Sequence, residues 1–169
     1  EIIDAQLRYP NTAYMGVKFD SEYFNNIPTR TYEIYGIKVR VPSNYNPETR
    51  EYKGLWDGTF KIAWSDNPAW VLYDIVTNKR YGLGERVGEM AIDKWTLYQV
   101  AQYCAQLVPD GFGGQEPRFT CNAWLTEQRS AYQVINDICS IFRAMPVWNG
   151  QQLTVVMDRP ADPVWTYRS

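Results

Sequence analysis

Residues 126–157, TEQRSAYQVINDICSIFRAMPVWNGQQLTVVM, change hydrophobic period halfway along, and that change decides the fold class. In the first half Ala131, Val134, Ile135, Ile138, Cys139 and Phe142 recur three and four residues apart, which gathers them on one side of a helix. Thr126 stands where a hydroxyl can accept from the unpaired N–H groups of a first turn, so a helix over 127–142 is expected with Thr126 as its cap. In the second half, Met145 to Trp148 and Gln151 to Met157 are strand runs on either side of Asn149-Gly150. Asn-Gly tolerates the positive φ that both places of a two-residue hairpin turn require, so a closing hairpin is expected there. A helix running into an antiparallel pair is an α+β arrangement.

Working back toward the N-terminus, Leu97, Val100, Ala101, Cys104 and Leu107 share one helical side behind Asp93, a good N-cap, and Pro109-Asp110-Gly111 is expected to stop this helix. It is read over 93–108. Asp66 or Asn67 can cap an earlier helix with Pro68 in its first turn and Val71, Leu72, Ile75 and Val76 on its apolar side. That helix ends before the glycine-rich stretch 81–88. Phe119 to Leu125 alternates and reads as a strand. Before residue 66 the period is two. Tyr14 to Phe19 is a short strand candidate broken by Asn25-Asn26-Ile27-Pro28, and Thr31 to Val41 alternates most clearly at Ile37, Val39 and Val41. Pro42 to Pro47 is a loop, and Trp56-Asp57-Gly58 turns into a strand over Thr59 to Trp64. The expectation is α+β: a β-rich part over 1–65, then an α+β part over 66–169 with two to three helices and a C-terminal β-hairpin. Pro160 and Pro163 end the ordered pattern, and no repeat at a fixed period is visible.

The 169 residues are enough to bury a core without disulfide or metal staples. Acidic and basic residues are mixed to a net charge of -2, with no basic run of the kind that neutralises phosphates, so nucleic-acid binding is not expected. No apolar run approaches the roughly 20 residues a membrane helix needs. The chain starts at Glu1 without Met, and both ends read as boundaries within a longer chain. Three cysteines, Cys104, Cys121 and Cys139, lack metal-type spacing and read as reduced core thilos of a protein folded in a reducing cytoplasm. The excess is aromatic, with 7 Trp and 13 Tyr, a composition suited equally to subunit interfaces and to sugar-stacking surfaces.

There is no histidine, which removes the commonest general base and metal ligand. Carboxylate-only chemistry stays open in principle, as in glycosidases. Asp57, Asp66 and Asp74, near Trp56, Trp64 and Trp70, are the candidates for it, against the plainer reading of a turn residue, a helix cap and a surface carboxylate. Gly82, Gly84 and Gly88 miss the dinucleotide spacing because position 87 is Val, and Gly111-Phe112-Gly113-Gly114 lacks the Lys-Ser/Thr of a phosphate loop; both read as loops. No catalytic, cofactor-binding or metal-ligating residue is assigned, and no cofactor is expected.

The runs Pro42 to Pro47, Tyr52 to Phe60, Asp66 to Asp74, and Glu116 through Gly150 closely resemble the host-specificity, or tail tip attachment, protein J family of lambdoid phages, and the likeness covers nearly the whole chain. Arg168-Ser169 departs from it and reads as a vector remnant. The resemblance implies a non-enzymatic virion component at the tip of a long non-contractile tail. Three copies would form a hub with neighbouring tail proteins, and an outer-membrane receptor would be contacted by the distal part of the parent chain. This stretch looks like an internal piece of the hub. The alternative is a carbohydrate-binding module reading host glycans, against which the two periodic helices count; a cell-wall glycosidase is the third reading.

Overall fold

Two short strands meet first: β1, Val39–Pro42, and β2, Phe60–Ala63, pair antiparallel from Val39↔Ala63 to Pro42↔Phe60. They belong to a computed structural model that describes residues 12–20, 22–23, 26–88, 92–127 and 129–160. The chain divides into two units, Glu1–Ile37 and Lys38–Ser169. The described residues of the first carry no helix or strand, and the Arg30 guanidinium lies 4.1 Å from the Phe19 ring centre. The strands expected over Tyr14 to Phe19 and over Thr31 to Lys38 are therefore absent. Alternation alone does not make a strand; only Val39 onward faces a partner across a ladder. Asn25 and Pro163, with Arg168 and Ser169, lie outside the described residues.

The second unit is mixed α+β, with four helices and six short strands in three antiparallel pairs among its described residues. Helix α1, Pro68–Thr77, is capped by Asn67, whose side chain accepts from Ala69 N–H, and Pro68 occupies the first turn as expected. Its buried side is wider than the expected stripe. Ala69, Trp70, Leu72, Tyr73 and Val76 are all buried, because β1, α3 and α4 pack around this one helix. The chain then folds back through α2, Gly84–Val87. This return is where two glycines are needed: a Cβ on Gly82 would lie 2.0 Å from the Ile75 carbonyl oxygen, and one on Gly84 would lie 2.1 Å from that of Thr77. The glycine-rich stretch is a close approach of backbone to backbone.

Helix α3, Lys94–Ala105, starts at Asp93, whose carboxylate accepts from Trp95 N–H, Thr96 N–H and the Thr96 hydroxyl. It ends three residues earlier than expected. Leu107 leaves the helix for β3, Leu107–Pro109, which pairs with β4, Gln115–Pro117, in a hairpin the sequence pattern did not signal. Phe119 to Leu125 forms no strand. Its hydrogen bonds go to scattered acceptors, Phe119 N–H to the Cys104 carbonyl and Cys121 N–H to that of Asp66, so no ladder can propagate.

Helix α4, Ala131–Ile141, is capped by Ser130, not Thr126. Ser130 and Gln133 form a reciprocal capping box that satisfies two N–H groups, which a cap at Thr126 would lack. Ile135, Ile138, Cys139 and Phe142 are buried as expected, whereas Ala131 in the first turn is exposed. The closing hairpin is present as β5, Ala144–Trp148, and β6, Leu153–Met157. Its turn sits one residue later than expected. Gly150 alone has positive φ, at 92°, and Asn149 instead uses its side-chain oxygen to accept from Gln151 and Gln152 N–H. Positive φ at only the first of the two central residues, Gly150-Gln151, is the type II′ pattern. The hydrophobic core joins α1, α3, α4, β1 and β6, and no described helix is long and apolar enough to cross a membrane.

Candidate functional site

Aromatic side chains from the strand-and-loop region and from two helices converge between α1 and α3. Trp56 stacks on Tyr98 at 4.8 Å, tilts against Trp95 at 4.9 Å and meets Phe60 edge-on at 5.1 Å. Phe60 in turn stacks on Tyr73 at 4.5 Å. Tyr52 links this group to Tyr45, and Trp70 N–H donates to the Tyr52 hydroxyl at 3.0 Å. Burial raises the Tyr52 hydroxyl well above its ordinary pKa, so it stays protonated. Tyr45, Trp56, Trp70 and Tyr73 are buried, and such ring pairs add about 0.5–1.5 kcal/mol each beyond the area they bury. These four rings are core, whereas Tyr14, Tyr32, Tyr35, Trp124, Tyr132 and Trp148 among the other described Trp and Tyr side chains are exposed.

One edge of this cluster opens to solvent. Phe60 and Ile62 of β2, Tyr73, Trp95 and the charged Arg40 and Lys94 line a cleft of about 710 Å³. Arg40 lies opposite Ile62 in the β1–β2 register, so both point to the same side. Trp95 is 51% exposed and Ile62 63%, which leaves an apolar wall facing water. Lys94 donates to the Gly58 carbonyl at 2.9 Å and lies within 6 Å of the Trp56, Phe60 and Trp95 ring centres. Asp93 also borders the cleft, but its carboxylate is committed to the cap of α3, and despite burial these hydrogen bonds from Thr96 and Trp95 lower its pKa. The cleft combines an aromatic wall with net positive charge, a surface suited to binding.

The three carboxylates singled out from the sequence serve separate partners. Asp57 is exposed in its turn and accepts from the Thr59 N–H and hydroxyl and from Ser43; the bonds from Thr59 hold its pKa below the usual range. Asp66 is not the cap of α1. It forms a two-pronged ion pair with Arg50, at 2.5 and 2.8 Å, that raises the guanidinium pKa further. Asp74 is buried on α1, not on the surface, and accepts from the Tyr81 hydroxyl and from Asn78. The sequence signalled neither Arg50, which comes from a distant loop at φ 59°, nor Tyr81. All three cysteines are free and buried, and burial pushes the Cys104 and Cys139 thiols up to about 12. Among the described residues no three His, Cys, Asp or Glu side chains are grouped to hold a metal ion.

No family model matches the chain. It is 54% identical over 168 residues to tip attachment protein J of Escherichia phage SECphi27, a match covering 99% of this chain and 14% of that protein. It is 48% identical over 164 residues to tip attachment protein J of Escherichia phage SECphi4, covering 97% of this chain and 14% of that one. The resemblance read from the sequence is thus borne out along nearly the whole chain, which spans about one seventh of the length of these relatives.

Proposed function

We propose that this chain is a structural segment of a phage tail tip, part of a host-attachment protein on a long non-contractile tail. The observation that carries this reading is the 54% and 48% identity, along nearly all of the chain, to proteins named tip attachment protein J. Within that role the segment is a non-enzymatic scaffold of the hub. Three copies associate with one another and with neighbouring tail proteins, and the distal part of the parent chain meets the outer-membrane receptor. It binds neither nucleic acid nor membrane, and it is synthesised in the bacterial cytoplasm before it joins the virion. Carboxylates tied up in hydrogen bonds and an aromatic core support a scaffold better than a hydrolase. The test is a pair of measurements. Antibody to this segment should label the tail tip in electron micrographs, and the isolated segment at micromolar concentration should leave phage adsorption unchanged. Label elsewhere on the virion would refute the location, and blocked adsorption would place the receptor site on these residues.

The carbohydrate-binding alternative has one observation in its favour, the half-exposed Trp95 beside polar groups in the cleft. Host polysaccharide added to the chain should leave Trp fluorescence unchanged; a saturable change abolished by Trp95→Ala would favour that alternative.

A further inference from the structure

The β3–β4 hairpin displays one apolar ring. Phe112 is 97% exposed at its tip, and the loop beneath it is locked. The Asp110 carboxylate accepts from Phe112 N–H at 2.8 Å and Gly114 N–H at 2.9 Å, and Asp110 N–H donates to the Gly114 carbonyl at 3.2 Å. Gly111 and Gly113 hold φ of 81° and 94°, which other residues rarely adopt. Singly exposed apolar side chains are ordinary. A loop whose glycines and carboxylate are all spent on holding such a ring outward is not.

The cleft at Trp95 is the matching concave surface. It lies at the start of α3 and the finger follows the end of α3, a helix of 12 residues and so about 18 Å long. At 97% exposure Phe112 does not occupy the cleft of its own chain. The charges also match: residues 107–117 contain Asp110 and Glu116 and no Lys or Arg, while in the cleft Arg40 and Lys94 outweigh Asp93, whose carboxylate is committed to the cap of α3. We propose that the Phe112 finger of one copy seats against Trp95 and Ile62 in the cleft of a second copy. Each copy then gives one finger and receives one, and every finger and cleft is filled when the copies close on themselves. The inference rests on the scaffold role above, in which copies of this chain meet.

The test uses singly substituted chains. A Phe112→Cys chain and an Ile62→Cys chain, mixed at high concentration under mild oxidation, should form a cross-chain disulfide that neither forms alone. Sedimentation equilibrium should show Phe112→Asp weakening self-association at least about tenfold, with Phe112→Trp close to the parent. Because Phe112 touches little else, unchanged melting temperatures would exclude misfolding. A disulfide formed by the Phe112→Cys chain alone would show finger meeting finger and overturn the proposal, as would undiminished association of Phe112→Asp. In purified tails of phage carrying both substitutions, the copies should be linked to one another. A link from Phe112→Cys to a different tail protein, or cleft protection by added polysaccharide alone, also overturns it. Tails with antibody label at the tip but no such link would sink this contact while leaving the scaffold role standing.

Discussion

Removing Arg50 should destabilise the chain more than removing Asp66, although the two share one ion pair. The Asp66 side chain is 8% exposed and that of Arg50 is 24%. Exposed ion pairs contribute about 0.2–1 kcal/mol, whereas stranding one partner of a buried pair costs about 3–5 kcal/mol. Arg50→Met leaves a carboxylate almost wholly out of water without its two hydrogen bonds, so a cost of about 3 kcal/mol is expected. Asp66→Ala leaves a guanidinium that can still recruit water through its exposed quarter, for about 2 kcal/mol. The double variant buries no stranded charge and should cost less than the sum, with a coupling of about 2 kcal/mol. Urea unfolding followed by tryptophan fluorescence measures all three. The Arg50→Met melting temperature should fall by about 6–12 °C. Single costs below about 0.5 kcal/mol that simply add, or a larger cost for Asp66→Ala, would show that the pair is solvated and that the burial argument fails.

Gly84→Ala should lower stability by at least about 2 kcal/mol because its methyl meets the Thr77 carbonyl, whereas Gly88→Ala, with open space around it, should lose only about 1 kcal/mol to its positive φ; thermal melts compare them. Gly150→Val should cost on the order of 1 kcal/mol or more through the φ of the closing turn, and an unchanged melting temperature would mean that the turn relaxes. Native Cys104 and Cys139 should react with a thiol reagent at pH 8 about three orders of magnitude more slowly than after denaturation, since pKa values near 12 leave almost no thiolate. The same shift fixes a pH dependence. The folded thiols titrate near 12 against an ordinary value near 9, so the unfolded chain loses its protons first and stability should fall as pH rises across that window; a flat unfolding midpoint from pH 9 to 11 would contradict it.

The sequence alone determined whatever depends on neighbours a few residues away. Asn67 and Asp93 cap their helices because a side-chain oxygen reaches N–H groups two or three residues on, and the apolar positions of α4 are buried because helical periodicity puts Ile135, Ile138 and Cys139 on one side. The α+β class and the closing hairpin follow from such local patterns, and the likeness to tip attachment proteins is itself a property of the sequence. Tertiary structure decided everything that needs a partner far along the chain. Residues 31–38 and Phe119 to Leu125 alternate like strands yet form none, since a strand exists only where a second backbone meets its N–H and carbonyl groups. Asp66 gave up the role of cap once Arg50 arrived from 16 residues away, and Asp74 came to lie in the interior under the Tyr81 hydroxyl. Trp95 opens α3 and Phe112 follows its end in sequence, and no local pattern in the sequence records that one lines a cleft and the other stands exposed at a hairpin tip. Periodicity reports which side of an element is apolar; only packing decides what that side meets.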